Sequence, residues 1–263
     1  MLRKVLPVFL IIFPSIAWTQ VRLTKLVLRP KQVYELKQTD ILVVDSLIMM
    51  DSSRLMLNKY KQQNFIHARV IKFGKGCWID GAGIQGLKGR DGRPGLSIQA
   101  PCTDGGPGGM GTEGTFGGSG INVSIYFSEL VTGGTLVIDV SGGAGGKGAK
   151  GGNGGGGGPG TRLCKGGNGG QGGFGSNGGN GGNAGNLTLV APRIPELRNM
   201  IGVTIIVRNY GGDEGEGGEP GARGPAGLSA LGNSKLDGNI GRKGEKGKNG
   251  IAGKPGVVRF QDK

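Results

Sequence analysis

Residues 142–185 read GGA GGK GAK GGN GGG GGP G, then the insert TRLCK, then GGN GGQ GGF GSN GGN GGN AG. Glycine recurs every third residue and usually fills two positions of each triplet. A period of three without apolar partners matches neither the 3.6 of a helix nor the 2.0 of a strand. The regular conformation with three residues per turn is polyproline II, which rises about 3.1 Å per residue, so each six-triplet run predicts a rod of roughly 55 Å.

Bare glycine faces let backbones approach closely enough for N–H and Cα–H bonds to neighbouring carbonyls. Two bare faces suit a rod enclosed on several sides, and one bare face suits a rod at an edge. Ordering glycine is entropically costly, so an isolated GGx rod stays disordered unless a bundle, a disulfide or a partner holds it. A flexible linker is the competing reading of such a stretch.

The neighbouring sequence argues for the bundle. Residues 81–120 hold triplets with mostly one glycine, GIQ GLK GRD GRP G and then GGP GGM GTE GTF GGS G; residues 212–256 hold GEG GEP GAR GPA G and GNI GRK GEK GKN GIA GKP G. Three hairpins are therefore expected at 81–120, 142–185 and 212–256, with the glycine-richest in the middle. Between them stand INVSIYF, TLVIDVS, LTLVA, VTIIVR (Val203 to Arg208) and a closing VVRF, all strand-like. Residues 20–80 contain LTKLVL, ILVVDSLIMM, SRLMLN, HARVIKF and CWID, short apolar runs that read as strands of a sheet, a short β-roll or a β-helix. Leu42, Val44, Leu47, Met49, Leu55 and Leu57 are the expected core. The predicted class is mainly β plus polyproline-II/polyglycine-II: a β platform carrying three hairpins of left-handed glycine-rich helices, with almost no α-helix beyond residue 19.

Composition agrees with a chain between collagen and globular protein: 61 glycines and 12 prolines in 263 residues, with few aromatics. Residues 1–19 resemble an export signal, with Arg3 and Lys4 ahead of the apolar stretch from Val5 to Ile16. Export to the periplasm, the cell surface or beyond is expected. In an oxidising compartment Cys102 and Cys164, each between glycine runs, are predicted to pair at rod tips, leaving Cys77 buried or intermolecular. Zinc lacks support, because no CxxC spacing exists and His67 is the sole histidine. His67 itself reads as a strand residue.

The net charge of +14 falls to about +12 without Arg3 and Lys4. An exported cation-rich rod suits an acidic glycan, lipopolysaccharide phosphate or an acidic protein surface rather than nucleic acid; simple solubility is the alternative.

Six such helices on a β base resemble the glycine-rich N-terminal domain of Obg GTPases, the glycine-rich tip adhesins of phage tail fibres and, in GEPGARGPAG (Gly218 to Gly227), bacterial collagen-like surface proteins. Glycine-rich antifreeze proteins are similar in the same way. The resemblance spans Gly81 to Phe260 and implies a bundle fold on a surface-exposed protein. It departs from each family: no GxxxxGK followed by Ser or Thr is present, and ice binding favours flat faces of small apolar residues and Thr, whereas Lys and Arg populate these.

No poised acid, base, nucleophile or cofactor motif emerges, so no enzyme and no cofactor is expected. Asp45, Asp51 and Asp139 fall at strand edges. Asp213, Glu214, Glu216 and Glu219 form one acidic cluster, which reads as a solvated face or a calcium site. Two non-enzymatic functions remain. One is a structural subunit of an outer-membrane or envelope assembly, docking through rod faces (Arg242, Lys243, Lys246, Lys248, Phe174) or the β base. The other is an adhesin or glycan-binding module using tip residues Gln99, Thr103, Arg162, Lys165, Asn233 and Lys235.

Overall fold

Alternation in the first eighty residues is set by apolar side chains that face one way. In ILVVDSLIM, Leu42, Val44, Leu47 and Met49 are all buried while Asp45 is exposed. The computed structural model describes residues 21–229, 232 and 234–263. The expected export segment and Asn233 lie outside the described residues.

Six strands arise from this pattern: β1 (Val21–Leu28), β2 (Val33–Glu35), β3 (Ile41–Met49), β4 (Arg54–Met56), β5 (Gln63–Phe73) and β6 (Cys77–Asp80). Odd strands join one sheet and even strands the other, every pairing being parallel, so the chain coils between two layers. The later strands continue the coil: β7 (Asn122–Tyr126), β8 (Glu129–Thr132), β9 (Leu136–Asp139), β10 (Leu187–Val190), β11 (Ile205–Arg208) and β12 (Val258–Gln261). The seven-stranded sheet runs β1-β3-β5-β7-β10-β12 with β8 also on β5, and the five-stranded sheet runs β11-β9-β6-β4-β2.

The core lies between the layers as aliphatic ladders. Leu42, Ile66, Ile125 and Leu189 occupy one register position on four successive strands, and all are buried. Truncating such a residue to Ala costs about 2–5 kcal/mol. Leu55 and Leu57 are buried with them. The short corner at 57–62 is closed by side-chain amides: the Asn58 N–H donates to Asn64 Oδ1 (2.9 Å), and Asn58 Nδ2 donates to Thr39 O (3.1 Å).

At that same corner the next three coils are drawn out into glycine runs: run 1 (83–97), run 2 (105–120), run 3 (142–159), run 4 (166–185), run 5 (211–227) and run 6 (238–256). Runs 1, 3 and 5 leave the five-stranded sheet and keep its register. Asp80 stands opposite Asp139, and beyond it the Gly83 N–H donates to Ser141 O (2.8 Å) and the Gly95 N–H to Asn153 O (2.7 Å). Runs 2, 4 and 6 feed the seven-stranded sheet in the same way, from Gly105 N–H to Asn168 O through Gly120 N–H to Asn183 O, each 2.8 Å. Further bonds cross between layers, such as Gly146 N–H to Thr115 O and Gly179 N–H to Gly146 O, both 2.8 Å.

This arrangement corrects the expected class. The molecule is built from two parallel multi-strand sheets and a helix, an α/β-type set of elements, rather than a β platform from which polyproline-II hairpins project. The reason is register: long segments inserted at one corner of successive coils inherit the stagger of the strands they connect. One short helix is present: between LTLV and IIVR, α1 (Ile194–Met200) packs Leu197 into the core, with Pro195 in the first turn where a missing N–H does no harm. The following strand starts at Ile205 rather than Val203, because Gly202 takes φ +83° in the turn before it.

Glycine content follows enclosure. Run 3 exchanges bonds with runs 1, 2, 4 and 5, and run 4 with runs 2, 3, 5 and 6. Run 1 bonds only runs 2 and 3 beyond its own ends, and run 6 only runs 4 and 5. A Cβ added at Gly146, Gly155 or Gly179 would sit closer than 3.0 Å to backbone atoms of a neighbouring run.

Candidate binding surfaces

The three tips stand side by side because the runs below them are in register. Cys102 and Cys164 form a disulfide across the first two tips with a Cα–Cα separation of 6.0 Å. The Cys102 N–H also donates to Pro159 O (2.8 Å). The third tip joins through a bridge between Gly160 and Ser229, the Gly160 N–H donating to Leu228 O (2.9 Å). Gln99, Thr103, Arg162, Lys165 and Lys235 are exposed around this end. Leu163, flanked by two of these cations, is 97% exposed. The Thr161 hydroxyl accepts the N–H groups of Leu163 and Cys164 at 3.1 and 3.2 Å and sets their turn.

Run 6 carries the other set of candidates. Arg242, Lys243, Lys246 and Lys248 are exposed along this outer run. Lys246 pairs with Glu219 across to run 5 (2.8 Å), whereas Arg242, Lys243 and Lys248 form no ion pair among the described residues. Run 6 is held straight by asparagines. Asn168, Asn177, Asn180, Asn183 and Asn186 on run 4 and its exit each accept, through Oδ1, the backbone N–H of Asn239, Lys248, Ile251, Lys254 or Val257 in turn, all at 2.9 Å. Phe174 interrupts this row, partly exposed.

The acidic cluster is a charged lattice. Glu216 pairs with Lys147 (2.8 Å), and the Lys147 ammonium, through a hydrogen bond and its charge, holds the Glu216 carboxyl below the usual range. Glu219 is lowered in the same way, first by its hydrogen bond with Lys246. Asp91 is lowered chiefly because it accepts the Lys150 backbone N–H (3.1 Å), with Lys88 adding a second bond. Among the described residues no three His, Cys, Asp or Glu side chains converge as metal ligands. His67 lies on β5, stacked on Tyr126 with centroids 4.2 Å apart; burial, then the Lys263 charge, lowers its pKa. Cys77 is buried and free, its thiol donating to Met50 O (3.2 Å).

No family model and no curated protein matches the chain. One solved structure is similar: a nine polyproline type II helical bundle antifreeze protein from the springtail Granisotoma rainieri, 25% identical, covering 64% of this chain and 94% of its own, with a TM-score of 0.18. A TM-score that low carries no argument about this chain. No helix among the described residues is long and apolar enough to cross a membrane.

The asparagine row was missed by reading the sequence. Its signal was available, since GGN recurs in the central stretch with Asn always in the third position. Asn fits that position because its carbonyl reaches a backbone N–H one run away. Thr112 and Thr115 act alike on the other side, their hydroxyls accepting the N–H groups of Arg90 and Leu87 (both 2.6 Å).

Proposed function

We propose that this chain is a non-enzymatic, exported structural protein of the cell envelope that docks through the cationic outer edge of run 6 onto an acidic partner surface. The observation that supports this reading is the unpaired set Arg242, Lys243 and Lys248 on a run whose backbone is fixed by the asparagine row. Arg242 and Lys243 stand about 15–19 Å from Lys248 along the extended run, a spread that matches a surface of carboxylates or phosphates better than a single small anion. Preorganisation lowers the entropy cost of such binding.

The test is a mild-detergent pull-down of the tagged chain from its native envelope, run beside a triple variant Arg242→Glu, Lys243→Glu, Lys248→Glu. Stoichiometric recovery of one envelope protein by the parent and not by the variant supports the reading. Equal recovery by both, or none by either, removes it.

A second reading, adhesion through the tips, is favoured by Leu163 standing exposed between Arg162 and Lys165 on a disulfide-pinned turn. It expects glycan-array binding that Arg162→Ala and Leu163→Ser abolish and the run 6 variant leaves in place.

A further inference from the structure

The seven-stranded sheet breaks its alternation at one level. On β3, Val44 and Leu47 are buried, with Asp45 exposed and Ser46 half-buried between them. On β5, Ala68 and Ile71 are buried, with Arg69 exposed and Val70 half-buried between them. Two residues in succession therefore leave the core where a regular strand would turn only one outward. The register of Val44 with Ala68 and Ser46 with Val70 sets Asp45 level with Arg69. The next coil makes the same break between β7 and β8, where the Ser128 N–H donates to Arg69 O (3.1 Å). Asp45, Arg69 and Ser128 thus share one level on three successive coils.

Two residues before this level, His67 and Tyr126 are in register and stack with their planes 4° from parallel. Rings stacked between neighbouring strands turn their edges, and so their polar atoms, toward solvent. Lys263 lies on the far side, its ammonium donating to Ser128 Oγ (2.7 Å). With Val43 these side chains line an open groove of about 380 Å³ on the outer face of the sheet, a volume within the range of small-molecule sites. Among the described residues the Asp45 carboxylate, the Arg69 guanidinium, the His67 ring nitrogens and the Tyr126 hydroxyl make no hydrogen bond or ion pair. Burial, then the Lys263 charge, keeps the imidazole neutral at pH 7, with one donor and one acceptor.

We propose that this groove binds a hexuronate, a sugar unit bearing a carboxylate. Arg69 and Lys263 hold the carboxylate, Asp45 accepts from ring hydroxyls, and His67 and Tyr126 bond the others. Charge selects the anionic group: the groove has two cations against one carboxylate, and a guanidinium fork meets a carboxylate in two parallel bonds. The unengaged Asp45 selects the hydroxyls, because it repels a bare phosphate or acetate ion while a polyol donates to it. Ring edges fixed by stacking lower the entropy cost of binding. With no apolar pocket around the sugar, a dissociation constant on the order of millimolar is expected. The site is separate from the cationic edge of run 6 and does not rest on that reading.

The experiment titrates the isotope-labelled, full disulfide-bonded chain with glucuronate, galacturonate and mannuronate, each beside its neutral hexose and beside acetate, following backbone amide shifts by NMR. At least one hexuronate should shift the His67, Arg69 and Tyr126 amides with a dissociation constant below about 10 mM, roughly tenfold tighter than its hexose or acetate. Arg69→Gln should weaken that binding by about tenfold or more, and Tyr126→Phe, which keeps the stack, by a few-fold. Asp45→Asn carries the sign: it weakens a site that accepts sugar hydroxyls and strengthens a simple anion site. The Arg242, Lys243 and Lys248 triple variant should titrate like the parent. The proposal is overturned if no hexuronate moves these amides at about 50 mM, if acetate matches the sugar, or if Asp45→Asn leaves binding unchanged or tightens it. Loss of binding in the run 6 variant overturns it too, since the sugar then lies elsewhere.

Discussion

The side-chain carbonyl of Asn180 accepts the backbone N–H of Ile251, seventy-one residues later, at 2.9 Å. Four other asparagines repeat that bond along the same two runs. Asn180→Ala should cost about 1 kcal/mol, while Asn180→Asp keeps the acceptor and should cost less. Thermal unfolding gives the stability, and hydrogen exchange should show faster loss of protection at Ile251 alone.

Three successive glycines are not equivalent. A Cβ at Gly155 or Gly157 meets backbone atoms of other runs at under 3.0 Å, whereas at Gly156 its nearest neighbour is the Pro225 side chain at 3.3 Å. Gly155→Ala and Gly157→Ala should each destabilise by about 3 kcal/mol or more. Gly156→Ala should change stability by less than about 1 kcal/mol, the loss of unfolded-state freedom offsetting a small adjustment of Pro225. Urea midpoints of the three variants check this, and equal effects at all three positions would contradict the packing.

The Cys102–Cys164 bridge spans 62 residues of sequence. By loop-closure entropy it stabilises the fold by about 4 kcal/mol. Reduction should lower the melting temperature and leave the two sheets assembled, because the tips are also joined through the backbone bonds at Pro159 and Leu228. Melts with and without reductant, scored by far-UV circular dichroism, measure both effects.

Acid sensitivity should trace to the charged lattice. Glu216 and Glu219 have lowered pKa values when folded, so their contribution is present above their ordinary value of 4.5 and is lost as pH falls through the lowered one. Lys246 is raised, so its share persists below 10.5 and disappears only in stronger alkali. All three are fully exposed, so the effect should be small and should fade in salt. Comparing melting temperatures at pH 6 and pH 3 in the parent and in Lys147→Gln tests it: the pH difference should narrow in the variant.

The reading of individual segments came close because local rules dominate there. The alternation in ILVVDSLIM identified Leu42, Val44, Leu47 and Met49 as core before any strand was placed. The positions of Cys102 and Cys164 between glycine runs pointed to their pairing. Pro195 and the brevity of IPELRNM hid α1, since a seven-residue helix has little periodicity of its own and is stabilised by burying Leu197. Of the candidate contacts, Lys246 is ion-paired while Arg242, Lys243 and Lys248 form no ion pair among the described residues, and spacing could not distinguish them.

By itself, the sequence determined the period of three, the places where strands interrupt it, and which triplets have room for a side chain, because each depends on neighbours in the chain or on the presence of a Cβ. Tertiary structure alone decided that the strands form two parallel layers and that the glycine runs extend those layers rather than project from them. Parallel pairing joins residues dozens of positions apart, as Asp80 with Asp139 and Leu187 with Val258. Such a register is set by the whole coil closing on one core, and no local pattern encodes it.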